Sequence, residues 1–148
     1  MIKIALSGGC RVGKTTLANK MADQYGFQHL ALADVLKKLV VKQNPHLERE
    51  VYASNKTPKI RKVLGNYSKF IRSHHGDRYF VDHVLRQIKS DRVVISDLRF
   101  SWEVEALSDW TFVYVGNDTS TYDTKMVYDR AVLRLPEKPN VKLIEELL

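Results

Sequence analysis

Apolar residues along this chain alternate between short continuous runs and helical stripes. Ile2-Lys3-Ile4-Ala5-Leu6 has the near-continuous apolar character of a buried parallel strand. Leu17, Ala18, Met21, Ala22 and Tyr25 then recur at helical spacing. A second strand is expected near Gln28-His29-Leu30. A helix follows from about Asp34, with Val35, Leu36, Leu39 and Val40 as its stripe and Asn44-Pro45 as its break. Residues 46–72 read as helical with an interruption at Thr57-Pro58, and Phe80, Val81, Val84, Leu85 and Ile88 mark another helix. Val93-Val94-Ile95 is the most strand-like run and ends on Ser96-Asp97. Thr111 to Val115 gives a fourth strand, Ala131 to Leu135 a fifth, and residues 140–148 a closing helix after Pro136 and Pro139. Such alternation implies an α/β fold of three layers, a parallel sheet of about five strands with helices on both faces.

The link between the first strand and the first helix carries the chemistry. Gly8-Gly9-Cys10-Arg11-Val12-Gly13-Lys14-Thr15 reads G-x-x-x-x-G-K-T, the phosphate-cradling P-loop pattern, and it is followed by Thr16. Strand, glycine loop and helix in that order gather backbone N–H groups at the positive end of a helix dipole. A P-loop NTPase fold and binding of a nucleoside triphosphate with Mg²⁺ are therefore expected. Gly8 and Gly13 allow the backbone to approach phosphate without a Cβ in the way. Lys14 reaches the β- and γ-phosphates and the Thr15 hydroxyl ligates Mg²⁺. Thr16 adds a hydrogen bond to the α-phosphate, and Arg11 faces phosphate or solvent.

Size and charge narrow the setting. The 148 residues, 44% hydrophobic, suit one domain over 1–148. No run of about 18 apolar residues exists, so no membrane partner is expected. The short run around Lys3 is a strand and not a leader. The single cysteine, Cys10, fits a reducing, cytoplasmic setting. A net charge of +7 suits an anionic partner, nucleotide or polynucleotide. Part of the excess is local: Lys56, Lys59, Arg61, Lys62, Lys69 and Arg72 fall in a stretch without an acid, whose plainer reading is a solvated helix face.

An acid at the carboxyl end of a buried strand is the other element that P-loop chemistry needs, and Asp97 supplies it. It would hold Mg²⁺ or a metal-bound water; the plainer reading is a turn cap. Arg99 can enter the same crevice and clamp a phosphate, or form an ion pair with Glu103. His74-His75 have no metal-like spacing and read as loop residues.

Val94-Ile95-Ser96-Asp97-Leu98-Arg99-Phe100, with Glu103, resembles the I-S-D-x-R-F-x-x-E segment of the deoxynucleoside monophosphate kinases, P-loop phosphotransferases common in bacteriophages. Ala33-Asp34-Val35-Leu36-Lys37 is similar to that family's A-D-P-L-K segment. Arg61-Lys62-Val63-Leu64-Gly65, then Arg72, Gly76, Asp77 and Phe80-Val81, follows a third family region. The resemblance implies that Asp34 meets the acceptor nucleotide, with Lys37 or Lys38 near its phosphate. It makes 46–81 a helical acceptor-binding region in which Arg61 and Arg72 bind the monophosphate. Lys14, Asp97 and Arg99 become the catalytic set, with Arg99 between acceptor phosphate and transferred phosphoryl.

Family members close an arginine-bearing lid, whereas this chain offers only residues 116–130, with Lys125 and Arg130 as lid cations. Gly116 to Ser120 reads as a flexible turn; the lid is minimal, supplied by a neighbouring subunit in a homodimer, or absent. Three functions stand on these residues. The first is ATP-dependent transfer to a nucleoside or deoxynucleoside monophosphate, giving the diphosphate. The second is a P-loop kinase with another acceptor, a polynucleotide 5′-hydroxyl or a small metabolite. The third is a nucleotide-binding module without turnover.

Overall fold

In the computed structural model, which describes Met1 to Leu148, the first apolar run is strand β1 (Ile2–Gly8). The glycine loop leads into helix α1 (Lys14–Tyr25), which ends at Gly26 in a left-handed conformation. After β2 (Gln28–Leu30) the chain turns helical. This stretch comprises α2 (Ala33–Gln43), a 3₁₀ turn (Pro45–Leu47), α3 (Glu48–Val51), α4 (Pro58–His75) and α5 (Tyr79–Leu85). It then runs through β3 (Arg92–Ile95), α6 (Ser101–Ala106), β4 (Thr111–Val115), α7 (Thr124–Arg130) and β5 (Leu133–Leu135). A 3₁₀ segment (Val141–Leu147) follows.

The five strands form one sheet in the order β2-β3-β1-β4-β5, and every pairing is parallel. Leu6 lies opposite Val113 and Gly8 opposite Val115 on one side of β1, and Ala5 lies opposite Ile95 on the other. Because side chains alternate along a strand, Ile4, Leu6, Val94, Val113 and Val115 face one way. They pack with Leu17, Met21, Val141 and Ile144, all buried. Ala5, Val93, Ile95, Phe112 and Tyr114 face the other way and are equally buried; α7 packs there against β4 and β1. This is the three-layer α/β architecture of P-loop NTPases. The path from β3 to β4 steps across β1, and a ligand crevice belongs at the carboxyl ends of strands at such a switch.

The chain divides into two compact units, Met1–Ala31 with Gln87–Leu148, and Leu32–Arg86. The first holds the sheet. The second is helical and built around Val40, Val51 and Ile60, with Leu36, Leu64 and Tyr67 packed on them. Asn44, where α2 ends, donates its side-chain N–H to the Val40 carbonyl at 3.0 Å and to Tyr67 Oη at 2.8 Å. Thr57 begins α4 by accepting a hydrogen bond from Ile60 N at 3.3 Å, with Pro58 in the first turn.

Four expectations change. The closing helix is 3₁₀ and not α; the apolar residues it turns to the core, Val141, Ile144 and Leu147, recur every third position, the period at which 3₁₀ side chains stack. The fifth strand starts at Leu133, Ala131 being the residue that ends α7. His74 and His75 are the last residues of α4 and not a loop. Helices α6 and α7 occupy stretches with no expected element.

Candidate active site

The P-loop is wedged against β4. Gly8 has φ 148°, and a Cβ there would stand 2.2 Å from the Val115 carbonyl oxygen. Gly13 opens α1 at φ 98° without a side-chain cap, and the first turn holds no acid. The start of α1 therefore has neither a side-chain cap nor an acid of its own, the arrangement that favours an anion. Lys14 Nζ donates to the Gly8 carbonyl at 2.7 Å and the Gly9 carbonyl at 3.0 Å, spanning the start of the loop. Burial chiefly, then the Arg99 charge, lowers the Lys14 pKa, with Cys10 and Asp97 opposing. Lys14, Arg99 and Asp97 thus act on one another at this end of the sheet. Thr15 and Thr16 are exposed in the first turn, as are Cys10 and Arg11 in the loop.

Asp97 owes its place to β1. Leu98 N donates to the Leu6 carbonyl at 3.1 Å, and Ser7 Oγ donates to the Leu98 carbonyl at 2.7 Å. These bonds continue the β1–β3 ladder past β3 and hold the Asp97–Arg99 turn beside the P-loop. Ser96 is buried and lies 2.6 Å from His29 Nε2, whose other ring nitrogen meets Asn19 at 2.9 Å.

Glu103 is not the ion-pair partner of the Arg99 side chain. Its carboxylate accepts from the backbone N–H of Arg99 at 2.8 Å and of Phe100 at 2.9 Å, tying down the start of α6. Burial, and next the nearby Asp97 charge, push the Glu103 carboxyl up to about 7, although its two backbone hydrogen bonds oppose this. The Arg99 guanidinium instead lies over the Tyr122 ring, 5.3 Å from its centroid.

Several residues reach this region only through the fold. Lys138 N donates to the Val12 carbonyl at 2.8 Å, clamping the chain after β5 to the P-loop. Beside it a cavity of about 430 Å³ is lined by Lys20, Gln24, Lys138, Pro139, Asn140, Val141 and Lys142. A Cβ on Gly9 would touch the Asp118 carboxylate at 3.5 Å. Arg11, Tyr122 and Lys138 have φ of 59°, 50° and 49° and are the non-glycine residues with positive φ. One lies in the P-loop, one bonds to it and one carries Arg99. Backbone strain of this kind gathers at functional sites. The separate sequence positions 7, 118, 122 and 138 form no local motif.

Lys125 and Arg130, the expected lid cations, stand on α7. Lys125 pairs with Asp129 at 2.5 Å and Arg130 with Glu105 at 3.6 Å. The buried face of α7, Thr124 and Val127, rests on the sheet, so the segment 116–130 is half loop and half docked helix.

The second unit holds Asp34 and Lys37 in α2, with Lys37 Nζ 6.0 Å from the centroid of the Tyr52 ring. Burial and then the charge of Asp34 raise the Tyr52 pKa. Arg61, Gly65, Ser68 and Arg72 share one face of α4, at i, i+4, i+7 and i+11. Nothing lies within 4 Å of where a Gly65 Cβ would stand. Arg72 pairs with Asp77 at 3.4 Å.

A family model described as an AAA domain matches residues 7–129. The chain belongs to that AAA-domain family. No curated protein matches it. Among solved structures, the AAA-domain chain is similar to shikimate kinase from Bacteroides thetaiotaomicron. The likeness has a TM-score of 0.50 at 13% identity, covering 99% of this chain and 97% of that one. It is also similar to shikimate kinase from Aquifex aeolicus vf5, with TM-score 0.49, 12% identity, 97% of this chain and 91% of that one. The Bacteroides likeness supports the three-layer α/β P-loop NTPase fold of this AAA-domain chain.

Proposed function

We propose that this chain transfers the γ-phosphoryl group of Mg-ATP to a nucleoside or deoxynucleoside monophosphate, giving the diphosphate. The observation that carries the acceptor class is the face of α4 bearing Arg61, Gly65, Ser68 and Arg72. Two guanidinia on one face, with a glycine that leaves the space between them open, suit a phosphate dianion. A singly charged carboxylate or phosphodiester would make less use of two guanidinia than a dianion does. Asp34 and Lys37 complete the acceptor set.

For the donor, Gly8 to Thr16 cradle the triphosphate, and the cavity at Lys138–Lys142 is of a size that takes a nucleoside. No group of three or more His, Cys, Asp or Glu side chains gathers into an ion site. That agrees with Mg²⁺, which keeps its waters and takes one or two protein oxygens beside the phosphates. Thr15 and Asp97 would hold it, and it would neutralise charge on the phosphate oxygens. Lys14 follows the charge that develops on the β,γ-oxygens, and Arg99 neutralises the transferring phosphoryl from the acceptor side. Little covalent work remains for the protein once donor and acceptor are in line. Residues 116–123 cover the phosphates, with Lys125 and Arg130 adding charge; exposed ion pairs such as theirs are worth at most about 1 kcal/mol, so both cations can be redirected cheaply.

The test is ADP release from Mg-ATP with a panel of acceptors: ribo- and deoxynucleoside monophosphates of each base, shikimate, gluconate and a 5′-hydroxyl oligonucleotide. Turnover confined to one or a few monophosphates supports the proposal. Turnover with any other acceptor alone, or with none, overturns it.

A further inference from the structure

The Arg99 side chain is held from a loop distant in sequence. Tyr122 lies under its guanidinium at 5.3 Å and meets Phe100 edge-on at 5.1 Å. On either side of the guanidinium the two backbones are laced together. Asp123 N donates to the Arg99 carbonyl at 3.0 Å, and the Asp123 carboxylate accepts from Ser101 N at 2.8 Å. Glu103 fixes the same turn from behind through Arg99 N and Phe100 N. Arg99 is therefore fixed at both its N–H and its carbonyl, and an aromatic face receives the charge.

That arrangement is maintained at a cost. Tyr122 is a bulky residue at φ 50°, a conformation that disfavours any side chain with a Cβ. The neighbouring Thr121 hydroxyl is buried without a hydrogen-bond partner, which is unfavourable in itself. Tyr122 is 57% exposed, so core packing does not explain why a tyrosine is held in this conformation. Its one charged neighbour in ring contact is Arg99. While resting there, Arg99 still lowers the Lys14 pKa, so its charge already acts on the phosphate loop.

We propose that Tyr122 is a positioning residue for Arg99: its ring holds the guanidinium at the P-loop end of the sheet, so that an incoming phosphate meets a preset cation. The assignment rests on the phosphoryl-transfer reading for its kinetic consequence but not for the contact itself. An aromatic face can do this and an aliphatic side chain of similar bulk cannot, which defines the experiment.

The variants are Tyr122→Phe, Tyr122→Leu, Arg99→Ala and the Leu/Ala double variant of the full chain. Acceptor KM, ATP KM and kcat are measured, together with thermal midpoints. The expected result is an acceptor KM about five-fold higher for Tyr122→Leu, the scale of a lost cation–π contact. The ATP KM should not change, and Tyr122→Phe should lie within about two-fold of the natural chain. In the Arg99→Ala background, Tyr122→Leu should add nothing. The proposal is overturned if Phe and Leu behave alike. It is equally overturned if Leu keeps its effect without Arg99, or if Leu lowers only the thermal midpoint. Should the natural chain turn over no monophosphate, the phosphoryl-transfer reading fails by itself. The same four variants are then titrated with inorganic tripolyphosphate by calorimetry. Non-additive losses sustain the positioning role, and additive ones remove it.

Discussion

Replacing Gly8 by alanine tests the P-loop geometry most directly, because the obstacle is backbone and not a side chain that can swing away. The new methyl would stand 2.2 Å from the Val115 carbonyl oxygen and 3.2 Å from Val12 Cγ2. Val115 cannot retreat easily. It is paired with Gly8 on one side and Leu135 on the other, and Gly116 N donates to the Leu135 carbonyl at 2.8 Å. A φ of 148° in a glycine-only region costs about 1–3 kcal/mol for any other residue, and overpacking costs about 1–3 kcal/mol more. A central value of about 4 kcal/mol, at roughly 3 °C per kcal/mol for a chain of this size, lowers the unfolding midpoint by about 12 °C. Scanning calorimetry reads this, and a Mg-ATP titration shows whether the surviving loop still binds. Gly65→Ala is the internal control. It lies inside α4 with open space around it, so alanine should raise the midpoint by about 2–3 °C, the gain of roughly 0.8–1 kcal/mol for glycine to alanine in a helix. A Gly8→Ala chain that unfolds within 2 °C of the natural one and binds Mg-ATP equally well would refute the wedge between β1 and β4.

Three further outcomes are expected. Lys14→Ala should lower phosphoryl transfer at least ~10²-fold, the scale of one lost electrostatic donor, with the circular dichroism spectrum unchanged; near-normal turnover would exclude the P-loop mechanism. The folded chain holds the Glu103 proton more tightly than the unfolded chain, because its carboxyl sits at about 7 instead of 4.5; the stability it contributes is complete below about pH 4.5 and is lost as pH rises through about 7. Glu103→Gln keeps an acceptor for the Arg99 and Phe100 N–H groups, so its advantage in midpoint should grow between about pH 5 and pH 8, towards on the order of 2–3 kcal/mol, and a constant gap would show that this carboxyl does not titrate as described. Lys125→Ala with Arg130→Ala should lower kcat and leave ATP binding unchanged; a fully active double variant whose residues 116–130 are cleaved equally with and without nucleotide would end the lid assignment.

What could be read from the chain was what is contiguous in it. Lys14, Thr15 and the glycines lie in one nonapeptide-sized stretch, and β1, β3 and β4 announce themselves as apolar runs, so the loop and the sheet were legible together. Short elements were not. Six residues of α6 and seven of α7 fall short of two turns, and half the buried pair that docks α7 is a threonine, which reads as polar. The 3₁₀ segment misled because an apolar residue every third position satisfies a helical stripe almost as well as 3.6 does. Glu103 could be placed near Arg99 but not assigned, because which atoms of Arg99 it meets depends on a backbone turn. Asp118, Tyr122 and Lys138 carry no local signal at all. Their importance lies in the carboxyl ends of β4 and β5 arriving beside β1.

The bond from Leu98 N to the Leu6 carbonyl also has a kinetic meaning. It joins residues 92 positions apart, across the whole of the helical unit, so the loop-closure entropy of that span must be met before Asp97 has a place. A partly folded chain can form α1, or the helices around Val40, from neighbouring residues. It cannot assemble the nucleotide site until β1 has inserted between β3 and β4, a late event in folding dominated by non-local pairing. On the proposed nucleotide-binding reading, Mg-ATP has nothing to bind on the way and stabilises the finished sheet alone. If that reading holds, Mg-ATP should slow unfolding and leave the folding rate unchanged.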